Sequence, residues 1–406
     1  MILRFLCRGI HFVWSLTMLM FRPLPWDYGV RNLLRRPGRS ALTMLGLGTV
    51  VFLVFLVVAF VRGLETSLAV SGDPLVVLVH SLGSGENIEN STIPGQGAGV
   101  LSASLGRVET RYRQKHVSPE LYLGSEVTTE SVKEPAMGIV RGVTLAAPLV
   151  RGQFQLIEGI WPASGEAIVG RLTAAKLGCD PAELVIGRTL RIEGRNWKIS
   201  GRFAAAGAAF ESEIWCQVDD LQQATKRQDL SLVAVAVSEP KGLADVSEFC
   251  KERVDLEWEA TPELSYYASL QTHYGPVRSV AWLIVLLVSG AGAFAGLNTM
   301  YGAVVGRVRE LAMLQTLGFS RRAIALSIVQ EGVLLAATGS LLAAAVALPL
   351  LSGLAVRFTM GAFTLRLDSV SLIYGFSMGL AIGVLGSLPP AWRALRMPVV
   401  DGLKAL

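Results

Sequence analysis

Charge is what this 406-residue chain has least of. Only 17% of its residues are Asp, Glu, Lys or Arg, where a soluble protein carries about 25%. The deficit is concentrated in four apolar blocks, Leu42–Val61, Val280–Val305, Ile324–Leu351 and Val370–Leu388. A bilayer core of roughly 30 Å needs about 20 helical residues, and the blocks meet that length. Cysteine is scarce as well: Cys7, Cys179, Cys216 and Cys250 contain no Cys-x-x-Cys pair, so neither a zinc site nor a thioredoxin-type motif is supported. The last three leave room for one disulfide or for three buried thiols. His80 and His116 have no nucleophile motif beside them, and there is no His-x-x-x-His or clustered-carboxylate metal signature. No Gly-x4-Gly-Lys-Ser/Thr run is present, so ATP hydrolysis is not expected in this chain.

What remains is a membrane protein with one large water-soluble insertion. The expected order is interfacial N-terminal helices (1–41), a first span (42–61), a mixed α+β domain (62–279), a second span (280–305), a turn (306–323), a third span (324–351), a short loop (352–369), a fourth span (370–388) and a tail (389–406). Segments 1–41, 306–323 and 390–406 hold 14 Lys and Arg against only Asp27, Glu310 and Asp401. The positive-inside rule therefore places both termini and the 306–323 turn in the cytoplasm, with the large domain outside. The net charge of +5 thus follows membrane orientation, and no nucleic-acid partner is expected. Residues 9–21 read as an interfacial helix or a short fifth span. Trp26–Arg36 reads as an elbow lying in the headgroup plane, with Ser40 capping the helix that follows.

Within 62–279 the patterning predicts strands over Pro74–His80, Met137–Val143, Glu166–Val169, Thr189–Glu193, Trp197–Phe203, Ile214–Val218 and Ser231–Val237. It predicts helices over Arg171–Leu177, Asp219–Lys226 and Leu243–Arg253, and a loop over Ser81–Gly99. In the spans, Gly292-x3-Gly296 and Gly375-x3-Gly379-x3-Gly383 allow close helix approach, either inside one bundle or between two copies. Glu331 is an ionisable residue inside a span, for which a nearby Arg partner is expected.

The 306–322 turn has Leu311, Leu314 and Leu317 at helical spacing, with Gly318 suited to a left-handed stop and Ser320 to the next N-cap. Arg307 and Arg309 would face lipid headgroups or an acidic partner. The run Asn298-Thr-Met, Arg307-x-Arg309-Glu310-Leu-Ala-Met-Leu-Gln-Thr-Leu-Gly318-Phe-Ser320-Arg321-Arg322-x-Ile324 and Glu331-Gly332 resembles the FtsX-type permease domain of ABC transporters, shared by the MacB, LolC/LolE and DevC permeases. Leu311-Ala312 and Thr316 replace the family's Ile-Gly and Ala. The Arg31–Gly46 start, the Gly159–Gly201 segment and the Pro389–Leu403 end are similar to that family's elbow, MacB-type periplasmic domain and tail.

The resemblance implies a non-catalytic permease in a bacterial inner membrane. It would pair with a second copy or paralogue and with a separate cytoplasmic ABC ATPase carrying ATP and Mg. A periplasmic adaptor or outer-membrane partner is also implied. In that reading Arg309, Glu310, Leu311, Leu314, Leu317, Gly318 and Arg321 meet the ATPase, and the outer domain acts as a lever for efflux or for lipoprotein or lipid release. An alternative within the resemblance is an FtsX-like regulator of an extracytoplasmic protein such as a cell-wall hydrolase.

Overall fold

The computed structural model describes residues 26–396 and Pro398, leaving aside residues 36, 86, 112, 131–134 and 359–360; residues 9–21 therefore lie outside the described residues. The chain forms two compact units, one of residues 1–60, 279–352 and 366–406, the other of residues 61–278 and 353–365.

The first unit is helical. Helix α1 (Trp26–Arg35) precedes four helices long and apolar enough to cross a membrane: α2 (Pro37–Ser71), α3 (Gly275–Val305), α5 (Arg321–Leu351) and α6 (Ser369–Arg396). A short helix, α4 (Val308–Thr316), joins α3 to α5. All four long helices overrun the apolar blocks read from sequence, because a helix continues past the hydrocarbon wherever its backbone bonds are satisfied. Pro37 opens α2 at the position where a missing N–H costs nothing. Ser40 is therefore already inside α2 and does not cap it. Its hydroxyl donates instead to the Leu33 carbonyl at 2.9 Å, satisfying one of the open carbonyls at the end of α1.

The inserted unit is a mixed α and β domain with ten main strands: β1 (Val76–Ser81), β2 (Val117–Thr129), β3 (Ala136–Val143), β4 (Gln155–Gly159), β5 (Glu166–Gly170), β6 (Thr189–Ile192), β7 (Arg195–Ala204), β8 (Ile214–Gln217), β9 (Leu232–Ala236) and β10 (Trp258–Pro262). One half is an antiparallel sheet in the order β10-β1-β9-β2. In the other half the pairings β2-β3-β8-β5-β7-β6 return to β2 and close a six-stranded ring. Strand β2 is shared: its start pairs with β9 and its end with β6. Closure removes exposed strand edges and encloses Val127, Val140, Leu190, Ile192, Trp197 and Ile199 in one apolar core. The hairpin between β6 and β7 turns at Glu193-Gly194, both in the left-handed region (φ 49° and 75°), one residue earlier than the sequence suggests. A two-residue loop with both residues at positive φ matches the strand twist.

The loop expected over 81–99 contains the start of a helix, Gly97–Ser104, and a second unpredicted helix runs over Glu263–His273. The short loop expected over 352–369 contains a hairpin, Ala355–Phe358 with Gly361–Thr364. It belongs to the inserted unit: the Lys176 ammonium donates to the Phe358 carbonyl at 3.0 Å, and Phe363 is buried.

At the junction of the two halves lies a buried charge cluster. The Arg141 guanidinium donates to Glu213 at 2.7 and 2.6 Å and to Glu120 at 2.5 Å. Arg151 donates to the same Glu120 oxygen at 3.0 Å and also binds Glu263. The Trp215 indole donates to Glu213 at 2.8 Å, and Arg141 stacks 4.6 Å from the Tyr122 ring centre. One network thus ties β2, β3, the segment before β8 and the start of the Glu263–His273 helix. Burial by itself would push the Glu120 carboxyl up, but Arg151 and Arg141 outweigh it and hold the group below its ordinary value of 4.5. A carboxyl lowered in the folded state stabilises fully above its unfolded value and loses that contribution as pH falls through its folded value. Thermal melts followed by tryptophan fluorescence should therefore be insensitive to Glu120 between pH 7 and 5 and should drop below about pH 4.5.

Cys179, Cys216 and Cys250 are free thiols. Burial pushes Cys250 up to about 11 and Cys216 higher still, so both behave as packing groups. His80 is buried in β1, its Nε2 2.9 Å from the Thr261 hydroxyl.

Candidate coupling site

Helix α4 forms as the sequence indicates. Gly318 has φ +90°, the Phe319 N–H reaches the Leu314 carbonyl at 3.1 Å, and the Gly318 N–H reaches the Gln315 carbonyl at 3.1 Å. These are the paired bonds of a left-handed helix stop. Ser320 caps α5 by accepting from the Ala323 N–H at 3.2 Å. The helix is thus framed by Gly306 and Gly318, the latter in a conformation that L residues avoid.

Its leucines do not form one exposed stripe. Leu311 is 2% exposed and packs with Met300, Val304, Ile324 and Ile328 of the flanking spans; Leu314 is half-buried against the same cluster. Leu317 is 75% exposed and Met313 46%. The solvent face therefore carries Arg309, Glu310, Met313, Thr316 and Leu317, continued by Gly318, Arg321 and Arg322. Leu311 holds the helix to its own spans, because a period near three rotates successive leucines around a helix of 3.6 residues per turn. Arg321 is exposed, with one N–H 3.1 Å from the Leu395 carbonyl of α6.

Arg307 is a correction to the sequence reading. It is buried, not facing headgroups or a partner, and forms a two-pronged pair with Glu331 of α5 at 3.2 and 3.1 Å. The Asn32 amide of α1 donates to the same carboxylate at 3.1 Å. The Arg39 guanidinium of α2 donates to the Thr299 carbonyl of α3 at 2.8 Å. These groups surround a cavity of about 40 Å³ lined by Asn32, Arg39, Thr43, Thr299, Arg307 and Glu331 among others. The expected Arg partner of Glu331 exists, but it is Arg307 and not the neighbouring Arg321 or Arg322. Asn32 gives no signal of its own; the signal was Glu331, whose charge in an apolar segment requires hydrogen-bonding partners.

The five glycines that the sequence singles out in the spans, Gly292, Gly296, Gly375, Gly379 and Gly383, face helices of their own chain. A Cβ on Gly292 would lie 2.7 Å from Val50, on Gly375 2.1 Å from Phe55, on Gly379 2.1 Å from Ser340 and on Gly383 2.5 Å from Ala336. Gly296 lies beside Gly386 and 3.7 Å from Leu47 by the same measure. Their smallness is used inside the bundle, in α2, α3, α5 and α6.

Comparison with known proteins agrees with this architecture. The family described as MacB-like periplasmic core domain matches residues 40–248, and the FtsX-like permease C-terminal family matches residues 282–399. Over 121 residues the chain is 31% identical to the macrolide export ATP-binding/permease protein MacB of Shewanella sp. (strain W3-18-1), covering 30% of this chain and 18% of that protein. The chain thus spans less than a fifth of that relative's length. Solved structures similar to it include the periplasmic region of MacB from Actinobacillus actinomycetemcomitans (TM-score 0.37, 10% identity, 48% of this chain and 92% of that one). Another is the extracellular domain of the noncanonic ABC-type transporter YknZ from Gram-positive bacteria (TM-score 0.35, 11% identity, 46% and 99%).

Proposed function

Because this chain belongs to the MacB-like, FtsX-type family of ABC transporter permeases, we propose that α4 is the element through which a separate cytoplasmic ABC ATPase drives it. The observation that carries the reading is the solvent face of α4. Two apolar side chains, Met313 and Leu317, stand exposed among Arg309, Glu310 and Arg321 on a helix whose other side is locked into the spans through Leu311. Exposed apolar groups rimmed by charge mark a protein interface. The positive-inside distribution supports a cytoplasmic position for this face and both termini.

ATP and Mg belong to that partner in this reading. Its closure moves a pair of permeases, two copies or a copy and a paralogue. The motion leaves the membrane along α2, which continues as helix to Ser71, and along α3, which begins at Gly275. The inserted domain then works as a lever on an extracytoplasmic adaptor, an outer-membrane conduit, or a lipid or lipoprotein to be released.

The test is Leu317→Asp. At 75% exposure the change leaves the fold intact, while an aspartate in an apolar docking pocket should weaken retention of the ATPase on the purified permease by tenfold or more. Retention at the wild-type level would sink the docking reading. Leu311→Ala, by contrast, should cost about 2–5 kcal/mol of stability.

A further inference from the structure

A docking helix transmits force only if it cannot swing. Helix α4 is framed by Gly306 and Gly318, glycines without a Cβ to restrict the backbone, and Gly318 takes the left-handed φ of +90°. Its own packing on the spans is one buried leucine, the small Ala312 and the half-buried Leu314. At the Gly306 side, however, the very next residue is Arg307, which is 7% exposed and whose side chain runs into the bundle.

From this we propose that Asn32, Arg307 and Glu331 form the anchor that makes α4 rigid with respect to α1 and α5, and that these three are positioning residues for coupling. The proposal rests on the ATPase-docking reading of α4 for its function, but not for its geometry. Three features set the anchor apart from a pair that merely neutralises charge. The contact is two-pronged, and a planar guanidinium meeting both carboxylate oxygens fixes orientation as well as distance. One carboxylate joins three separate elements, since Asn32 of α1 donates to it beside Arg307 of the α3–α4 junction. The neighbouring wall is tied in the same way: Arg39 of α2 reaches the Thr299 carbonyl across Gly302, where a Cβ would come within 2.8 Å of its guanidinium.

Among the described residues the Arg307 Nε is buried without a protein partner, beside the 40 Å³ cavity. Such a polar space holds water. A water there would complete the donor set of Arg307 without loosening its grip on Glu331. A push on α4 is therefore passed to α1 and α5 through one carboxylate.

The experiment measures pulsed electron-spin distances in the full chain in lipid nanodiscs. Nitroxides are placed on encoded ketone residues at Thr316 and Leu341, both exposed, which leaves the native cysteines in place. Wild type should give one narrow distance distribution. Glu331→Gln should at least double its width, and Arg307→Glu combined with Glu331→Arg should restore it, Asn32 then offering its amide oxygen. Arg307→Met combined with Glu331→Met removes both buried charges and keeps the fold; it should melt like wild type and still be broad. A narrow distribution in that apolar pair, or in Glu331→Gln, would overturn the anchor.

With the ATPase reconstituted, the same apolar pair should retain the ATPase but lose tenfold or more of the permease-dependent change in ATP turnover. Full turnover with a broad distribution would overturn the positioning role. Failure of the wild-type chain to retain any ATPase would strike the docking reading instead, and the distance distributions would still decide the anchor.

Discussion

Arg141→Met is expected to destabilise the inserted domain by about 3–5 kcal/mol, the cost of removing one partner from a buried ion pair. The arginine itself is 5% exposed and bridges two carboxylates at once, Glu213 on two oxygens and Glu120 on one. Without it, among the described residues Glu213 keeps the Trp215 indole and Glu120 keeps Arg151. Denaturant unfolding followed by tryptophan emission should show a midpoint shift, with Trp215 reporting directly on the site. Arg253→Ala serves as the comparison. Its pair with Asp255 at 2.8 Å is exposed on both sides, where solvent screens the attraction and its loss should barely move the midpoint. Equal losses in the two variants would contradict the buried network as the joint of the domain. A loss confined to Arg141 would place that joint where the antiparallel sheet meets the closed ring.

The membrane unit offers the second large effect. Gly383→Val should cost about 1–3 kcal/mol through overpacking, at the upper end because its neighbours cannot step aside. A Cβ there would lie 2.5 Å from the Ala336 Cβ and 3.0 Å from the Gly332 carbonyl oxygen, so α5 and α6 must separate. Gly46→Val is the control, since nothing lies within 4 Å of its Cβ position. The measurement is the temperature at which each variant, purified in detergent, loses its monodisperse elution. Equal behaviour of the two would mean that close α5–α6 contact is not what holds the bundle.

The two variants bear on function through the same idea. If motion passes from α4 to the inserted domain as proposed, the bundle must move as a body and the domain must not yield at its joint. Glycine contacts supply the first, by letting backbones approach where lipid offers no hydrophobic drive. The Arg141 network supplies the second, by fixing orientation among strands that apolar packing alone would leave interchangeable.

Much of this was legible in the residues. The four spans follow from uninterrupted apolar runs, and the strands β3, β5, β7, β8 and β9 from β-branched and aromatic clusters between turn residues. The stop at Gly318 and the cap at Ser320 follow from local backbone chemistry that needs no partner. Strand β2 was missed, although it is the longest, because Pro119, Glu120, Ser125 and Glu126 break its apolar pattern. Glu120 is completely buried in it, stabilised by arginines 21 and 31 residues away.

That contrast divides the protein. The sequence by itself determined what depends on near neighbours and on solvent: which segments enter a bilayer, where helices start and stop, and that Glu331 must have a partner. Only the tertiary structure decided which charges are desolvated and with whom. Arg307 reads as a surface group until α5 brings Glu331 to it, Leu311 and Leu317 read alike until the spans bury one of them, and Glu120 falls in no expected element until Arg141 and Arg151 arrive. A charge written in sequence carries its sign but not its surroundings, and in a low-dielectric interior the surroundings set its energy.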